Sequence, residues 1–204
     1  MEKLKRDLFE AKAQDWDRRP LSQQLSQFIG DAMLENVAFH ETMHVMDFGA
    51  GTGLISGRIA PLVEKIAAVD VSEAMLNALA AKPELRGKVE ALCHDITLEA
   101  LDLRFDAIVS AMAVHHVEDT ALLLRRFADH LKPGGVIALA DLDKEDGLFH
   151  GEKSQGVYHY GFDRDGFKTL LEEAGFTEVR FTTAYTVMRE GKAYPIFLAV
   201  ARKG

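Results

Sequence analysis

An α/β fold, a doubly wound sheet with helices on both faces, is what this 204-residue sequence predicts. Five short apolar segments alternate with helical patterns, a rhythm that makes parallel strands joined by right-handed crossovers. Two more strand-like segments close the chain with no room for a helix between them, so they should pair antiparallel. A glycine-rich loop follows the first strand, at the sheet edge where such folds hold their ligands.

The segments follow in order. Leu4, Leu8, Phe9 and Trp16 stand among charges in an amphipathic opening helix. Pro20 starts a second helix, "PLSQQLSQFIGDAML", with Leu21, Leu25, Phe28, Ile29 and Met33 on one buried face. "MHVMDF" reads as the first strand and "GLISGRIAPLVE" as a helix broken late by Pro61. "KIAAVDV" is the second strand, and "SEAMLNALAAK" a helix with Ser72 as N-cap. "KVEALCHD" and "FDAIVSAM" are the third and fourth strands. "DTALLLRRFADHL" is a helix whose stripe Leu122, Leu123, Leu124, Phe127 and Leu131 reads as core, and "KPGGVIALADL" turns into the fifth strand. A polar connection over 142–162 precedes the helix "DRDGFKTLLEEAGF", which Gly175 caps. "TEVRFTTAYTVMRE" and "AYPIFLAVARK" are the closing pair. One domain, 1–204, is expected, with 1–36 as a helical lid and 142–162 as a substrate-side loop.

Composition narrows the function. A net charge of -8, with no Lys/Arg run longer than two, speaks against nucleic-acid binding, which needs a basic surface. The single cysteine, Cys93, excludes an internal disulfide and a multi-cysteine zinc site, and its strand-like setting predicts a small buried residue. The charged start "MEKLKRDLFEAKAQDWD" has no signal-peptide core, and no apolar run reaches a bilayer's thickness. A cytoplasmic protein without a membrane partner is expected.

The loop in "VMDFGAGTG" carries Gly49, Gly51 and Gly53, which let backbone approach a ligand closely. A dinucleotide fingerprint needs a third glycine where this chain has Leu54 in one register and Ser56 in the other. Three acids stand at successive strand ends. Asp47 precedes the glycines, where its charge repels a pyrophosphate and suits a cation; Asp70 is placed for two ribose hydroxyls. Asp95 follows the third strand, as an acceptor for an adenine amino group or as a turn former. A cation, a ribose and an adenine without phosphate describe S-adenosylmethionine.

In these residues the chain resembles the class I S-adenosylmethionine-dependent methyltransferases along nearly its whole length. "VMDFGAGTG", "AAVDVSEAML" and "ALCHDI" are similar to the family's first three motifs, and "FDAIVSAMAVHHVED" and "LKPGGVIALAD" to its later strands. The wording of "HHV" and "LKPGG" is closest to the small-molecule, ubiquinone-biosynthesis-like (type 11) subgroup. The resemblance implies a Rossmann-like three-layer sandwich with strand order 3-2-1-4-5-7-6 and an antiparallel last strand. It implies S-adenosylmethionine as cofactor and S-adenosylhomocysteine as product. The site would comprise Asp47, Gly49, Ala50, Gly51, Thr52, Gly53, Asp70, Val71, Met75, Asp95, the backbone of Ile96, Ser110 and Ala111. The Asn/Asp-Pro-Pro-Tyr/Phe motif is missing, which disfavours DNA adenine and protein glutamine, and no Cys follows strand four, which disfavours cytosine-C5.

His115 and His116 follow the fourth strand as candidates for a general base, because histidine titrates near neutrality; packing or capping is the competing role. Adjacent histidines on one turn point apart, so no metal is expected. Trp16, Asp141, Tyr158, His159 and Tyr160 are candidates for the acceptor side. The sequence thus predicts methyl transfer to a small molecule by direct displacement, in a monomer or homodimer. Its rivals are a silent cofactor-binding assembly protein and, less favoured, a nicotinamide-dependent oxidoreductase.

Overall fold

The computed structural model describes residues 12–150 and 156–204. The expected opening helix around Leu4, Leu8 and Phe9 lies outside them. The first described element is a 3-10 turn, Ala13–Arg18, followed by α1 (Pro20–Asn36) with Pro20 in its first turn. Then come β1 (His44–Phe48), α2 (Leu54–Ile59), β2 (Lys65–Asp70), α3 (Glu73–Ala80), β3 (Val89–Cys93) and β4 (Phe105–Ala111). The chain continues with α4 (Thr120–His130), β5 (Leu131–Leu142), α5 (Arg164–Glu173), β6 (Phe176–Arg189) and β7 (Lys192–Lys203). The seven strands form one sheet of order β3-β2-β1-β4-β5-β7-β6. β1 to β5 run parallel, and β7 enters antiparallel between β5 and β6.

Local chemistry sets the element ends. Ser72 accepts from the Met75 N–H at the start of α3, and Asp119 and Asp163 cap α4 and α5 in the same way. Pro61 falls in a 3-10 turn, Ala60–Leu62, that stops α2. The β6–β7 hairpin turns on Glu190 and Gly191, both at positive φ, the twist that suits a two-residue hairpin.

Alternate residues of each central strand feed two cores. Val45, Ile66, Ala68 and Val109 pack with Ile29 and Met33 of α1, Ile55 and Ile59 of α2, and Leu76 and Leu79 of α3. Met46, Ile108, Ile137 and Phe197 pack with Leu123 and Phe127 of α4 and Phe167 and Leu171 of α5. Burying side chains of this size stabilises the fold by roughly 1.5–3 kcal/mol each relative to exposure.

Three expectations are corrected. Cys93 is exposed, because β3 is an edge strand. Leu21 and Phe28 are 38% exposed: the apolar face of α1 extends beyond the core, and Phe28 stacks flat on Tyr185 of β6, centroids 4.3 Å apart. Leu122 stands at a cleft wall, while Leu123, Leu124, Phe127 and Leu131 of the same stripe are buried. No helix among the described residues is long and apolar enough to cross a membrane.

Candidate active site

A cleft of about 1200 Å³ opens at the carboxyl ends of β1 to β4, walled by the glycine loop, α1, the 3-10 turn with Trp16, and the segment after β4. A pocket for one ligand measures roughly 300–1,000 Å³, so this cleft has room for two.

Its first end is acidic. Asp47 closes β1 with 1% exposure, and one of its carboxylate oxygens accepts from the Ser56 hydroxyl at 2.7 Å. Burial pushes its carboxyl up to about 7, against the lowering effect of the Ser56 bonds and with Asp70 adding repulsion. Asp70 is also raised by burial, while the N–H groups of Ser72 and Gly51, each 2.8 Å from a carboxylate oxygen, act the other way. Each of those oxygens keeps a second lone pair for a hydroxyl. Asp95 accepts from the Thr97 N–H and hydroxyl at 2.9 and 2.6 Å, forming a turn while still lining the cleft.

The loop between these acids needs its glycines. Gly49 has φ 66°, and a Cβ there would collide with the Cβ of Ala113. Gly51 has φ 54°, and a Cβ there would meet nothing within 4 Å, at the cleft wall. A bare backbone cradle, a buried carboxylate tuned to meet a cation and a second carboxylate beyond it fit the aminocarboxypropyl and ribose ends of S-adenosylmethionine. Asp17 ties the 3-10 turn to this loop: one carboxylate oxygen accepts from the Thr52 hydroxyl, and the other pairs with Lys82 at 2.6 Å. Trp16 thereby borders the cleft, with Arg19 over its ring at 5.1 Å.

The other end is imidazole-rich. The turn Val114–His116 brings His115 and His116 to ring centroids 4.2 Å apart, and His150 stands 4.8 Å from His115. The expectation that the adjacent pair points apart is thus corrected: a 3-10 turn packs them side by side. No group of three or more His, Cys, Asp or Glu among the described residues is arranged to hold a metal. Burial, reinforced by His115, holds His116 down at about 3 and His150 at about 4, so both are neutral at pH 7. His116 Nδ1 lies 2.7 Å from the carbonyl of Gly156.

Asp47, Gly49, Ala50, Gly51, Thr52, Asp70, Val71, Met75, Asp95 and Ala111 all line this cleft, as do Trp16, His115, His116 and Tyr158. The others stand behind or beside it. Gly53 begins α2 in a left-handed conformation, close to Leu79. Ile96 and Ser110 are fully buried, with Ile96 packed in the α4-side core. Asp141 is fully buried behind His115. His159 Nε2 lies against the Val117 carbonyl and the Thr120 hydroxyl at 3.0 and 3.1 Å, and Tyr160 is exposed. Sequence reasoning missed Ser56, Asp17, Phe149 and His150. Ser56 at least follows the loop directly, whereas nothing local marks His150.

A Rossmann-like sheet in this order, with acids at the ends of β1 and β2 around a glycine cradle, is the arrangement shared with the class I S-adenosylmethionine-dependent methyltransferases, and the similarities of this chain support that class. More narrowly, residues 46–139 match the family model described as a methyltransferase domain, type 11. An uncharacterized methyltransferase of Schizosaccharomyces pombe is 33% identical over 152 residues, covering 66% of this chain and 54% of that protein. The chain spans a little over half the length of the curated relatives it matches. The fold is shared with the N-methyltransferase NodS of Bradyrhizobium japonicum, solved with S-adenosylhomocysteine, at TM-score 0.71, 17% identity and coverage of 92% and 89% of the two chains. It is also shared with a structure described as a complex of the Haloferax volcanii Trm112 activator and a methyltransferase, at TM-score 0.77, 17% identity and coverage of 96% and 97%.

Proposed function

We propose that this protein transfers the methyl group of S-adenosylmethionine to a small-molecule acceptor by direct displacement. One observation carries the reading: a single cleft holds a carboxylate-lined glycine cradle at one end and, within the same walls, a chamber of neutral imidazoles at the other. Leu25, Ile29, Leu122, Phe149 and Val157 give the walls between them an apolar character suited to a compact organic molecule. The chain's acidity does not suit a polyanionic substrate.

The cofactor, when bound, supplies an already activated methyl group. The protein's work is then to align the partners and keep water out. Asp47 and the backbone of Gly49 to Thr52 hold the amino-acid end, Asp70 the ribose and Asp95 the adenine. Trp16 covers the cleft from the N-terminal side. Calorimetry with S-adenosylhomocysteine tests the cofactor end, with Asp70→Ala expected to cripple binding. Incubation with methyl-labelled cofactor and a metabolite extract tests the rest. Label in a small molecule supports the reading, and binding without transfer to any compound favours a silent binding protein.

A further inference from the structure

His115 and Asp141 form a pair that the cofactor end does not require. Asp141, at the end of β5, is 0% exposed, and His115 is 1% exposed. One Asp141 oxygen lies 2.7 Å from His115 Nδ1, and the other accepts from the His115 backbone N–H at 3.1 Å. The Leu142 N–H donates to Asp141 as well, at 2.7 Å. Burial opposes ionisation of Asp141, but the imidazole and these N–H groups outweigh it and bring the carboxyl below its ordinary value. An ionised carboxylate only accepts, so the hydrogen between them sits on Nδ1, and Nε2 is the ring nitrogen turned away from the carboxylate.

His115 lines the cleft, and its buried Nε2 has no hydrogen-bond partner among the described residues, as is also true of Nε2 of His150. A buried polar atom without a partner is costly, a cost that a ligand hydrogen-bonding to it removes. The backbone of His115 is also anchored, because its main-chain carbonyl accepts from the N–H groups of Tyr158 and His159 at 3.0 and 3.2 Å.

We propose that His115, oriented by Asp141, is the general base of the methyl transfer and that the acceptor is an acidic hydroxyl, a phenol or an enol. The proposal rests on the methyl-transfer reading above. The acceptor's O–H bond breaks and its proton passes to Nε2. Its oxygen forms the new O–CH3 bond as the donor's S–CH3 bond breaks, the bonding pair staying on sulfur. One positive charge leaves the sulfonium as one appears on the imidazole, where Asp141 already stands, so the cleft's net charge does not change. A neutral amine, by contrast, attacks with its own lone pair and needs no base. At this chamber the carboxylate behind the histidines is fully buried, which keeps it out of contact with an ammonium in the cleft. His116 is less suited to the role because its Nδ1 is tied to a loop carbonyl and burial holds it at about 3.

Two measurements test this. Nitrogen-15 NMR of histidine-labelled protein saturated with S-adenosylhomocysteine should show His115 as the Nδ1–H tautomer, a signature that Asp141→Asn abolishes. Methyl-labelled cofactor, offered with a set of substituted phenols and the matching anilines, should label phenols. His115→Asn and Asp141→Asn should each slow that transfer roughly 100-fold or more, within the range of general-base catalysis, with homocysteine-product affinity unchanged within about twofold. An Nε2–H tautomer in the wild type, label on anilines alone or on nothing, or variants within about threefold of wild type in kcat overturns the proposal. If the wild type binds no S-adenosylhomocysteine, the methyl-transfer reading falls and takes this proposal with it. If it binds and His115 is the other tautomer, only this proposal falls.

Discussion

At one end of the cleft the walls are carboxylates, Asp47, Asp70 and Asp95, set on the tips of three adjacent parallel strands. At the other they are imidazoles, His115, His116 and His150, supplied by a 3-10 turn and a long loop. Asp47 is buried and Asp70, His116 and His150 are half-buried, and burial drives these four toward neutrality: it raises Asp47 and Asp70 and lowers His116 and His150. The consequences are opposite. A carboxyl poised near 7 waits for a cation to complete it, while an imidazole held neutral keeps a lone pair to offer. One end is prepared to bind a charge and the other to accept a proton, a division of labour that suits a cationic donor beside a protic acceptor.

The largest expected effect comes from the contact that joins the two ends. Gly49 of the cradle lies against Ala113, two residues before His115, so Gly49→Ala forces both a strained φ and a collision. Positive φ for a residue with a Cβ costs about 1–2 kcal/mol, and overpacking about 1–3 kcal/mol more. Affinity for S-adenosylhomocysteine, measured by calorimetry, should fall roughly 100-fold or more, tenfold for each 1.4 kcal/mol. A loss under about tenfold would mean that cradle and histidine turn move independently.

The same contrast explains what the sequence revealed. The acidic end was legible because each part is local: an apolar strand, its terminal acid and the glycines follow one another in the chain, and three strand ends repeat the pattern. The strand order was legible from the rhythm and the resemblance together. The histidine end is made by tertiary closure. Asp141 looked like a pocket residue because it ends a strand, yet it points at His115 rather than at the cleft. His150 sits in a polar loop with no periodicity, and only the fold brings it to 4.8 Å from His115. Leu122 shares the spacing of a core stripe, and no pattern in the chain shows that the sheet ends beneath it.

The acidic end should carry the pH dependence of cofactor binding. Asp47 must be ionised to meet an ammonium, and in the unliganded protein it is protonated below about 7. Affinity for S-adenosylhomocysteine should therefore fall by up to about tenfold between pH 7 and pH 6. Asp47→Asn should flatten that dependence. Stability has a related sign. Between 3.8 and about 7 the folded Asp47 holds a proton that the unfolded one has lost, so this group makes the unliganded protein less stable as pH rises through that window. The whole shift corresponds to roughly 4 kcal/mol. Thermal melts of Asp47→Asn should lose this slope, and a wild-type slope of the opposite sign with an unaltered variant would show that Asp47 is solvated.

The smallest effect belongs to the turn that covers the acidic end. Asp17 holds this turn to the cradle through Thr52 and to α3's neighbour Lys82, whose side chain is 19% exposed. Gln23 adds a bond to the Asp17 carbonyl at 2.8 Å, within the same N-terminal stretch. Removing the carboxylate by Asp17→Ala loses one hydrogen bond to a charged group and one partly exposed ion pair, about 1 kcal/mol after solvent screening. That predicts a roughly threefold to tenfold faster release of S-adenosylhomocysteine with little change in the rate of binding, because the tie acts only once the turn is down. Trp16 is the chain's single tryptophan and stands at the cleft wall, so its fluorescence reports this movement directly. Emission should shift to the red in Asp17→Ala, where the turn lifts into water. A variant with unaltered emission and unaltered release would show that the turn is held by the apolar contacts of Trp16 and that Asp17 serves Lys82 alone.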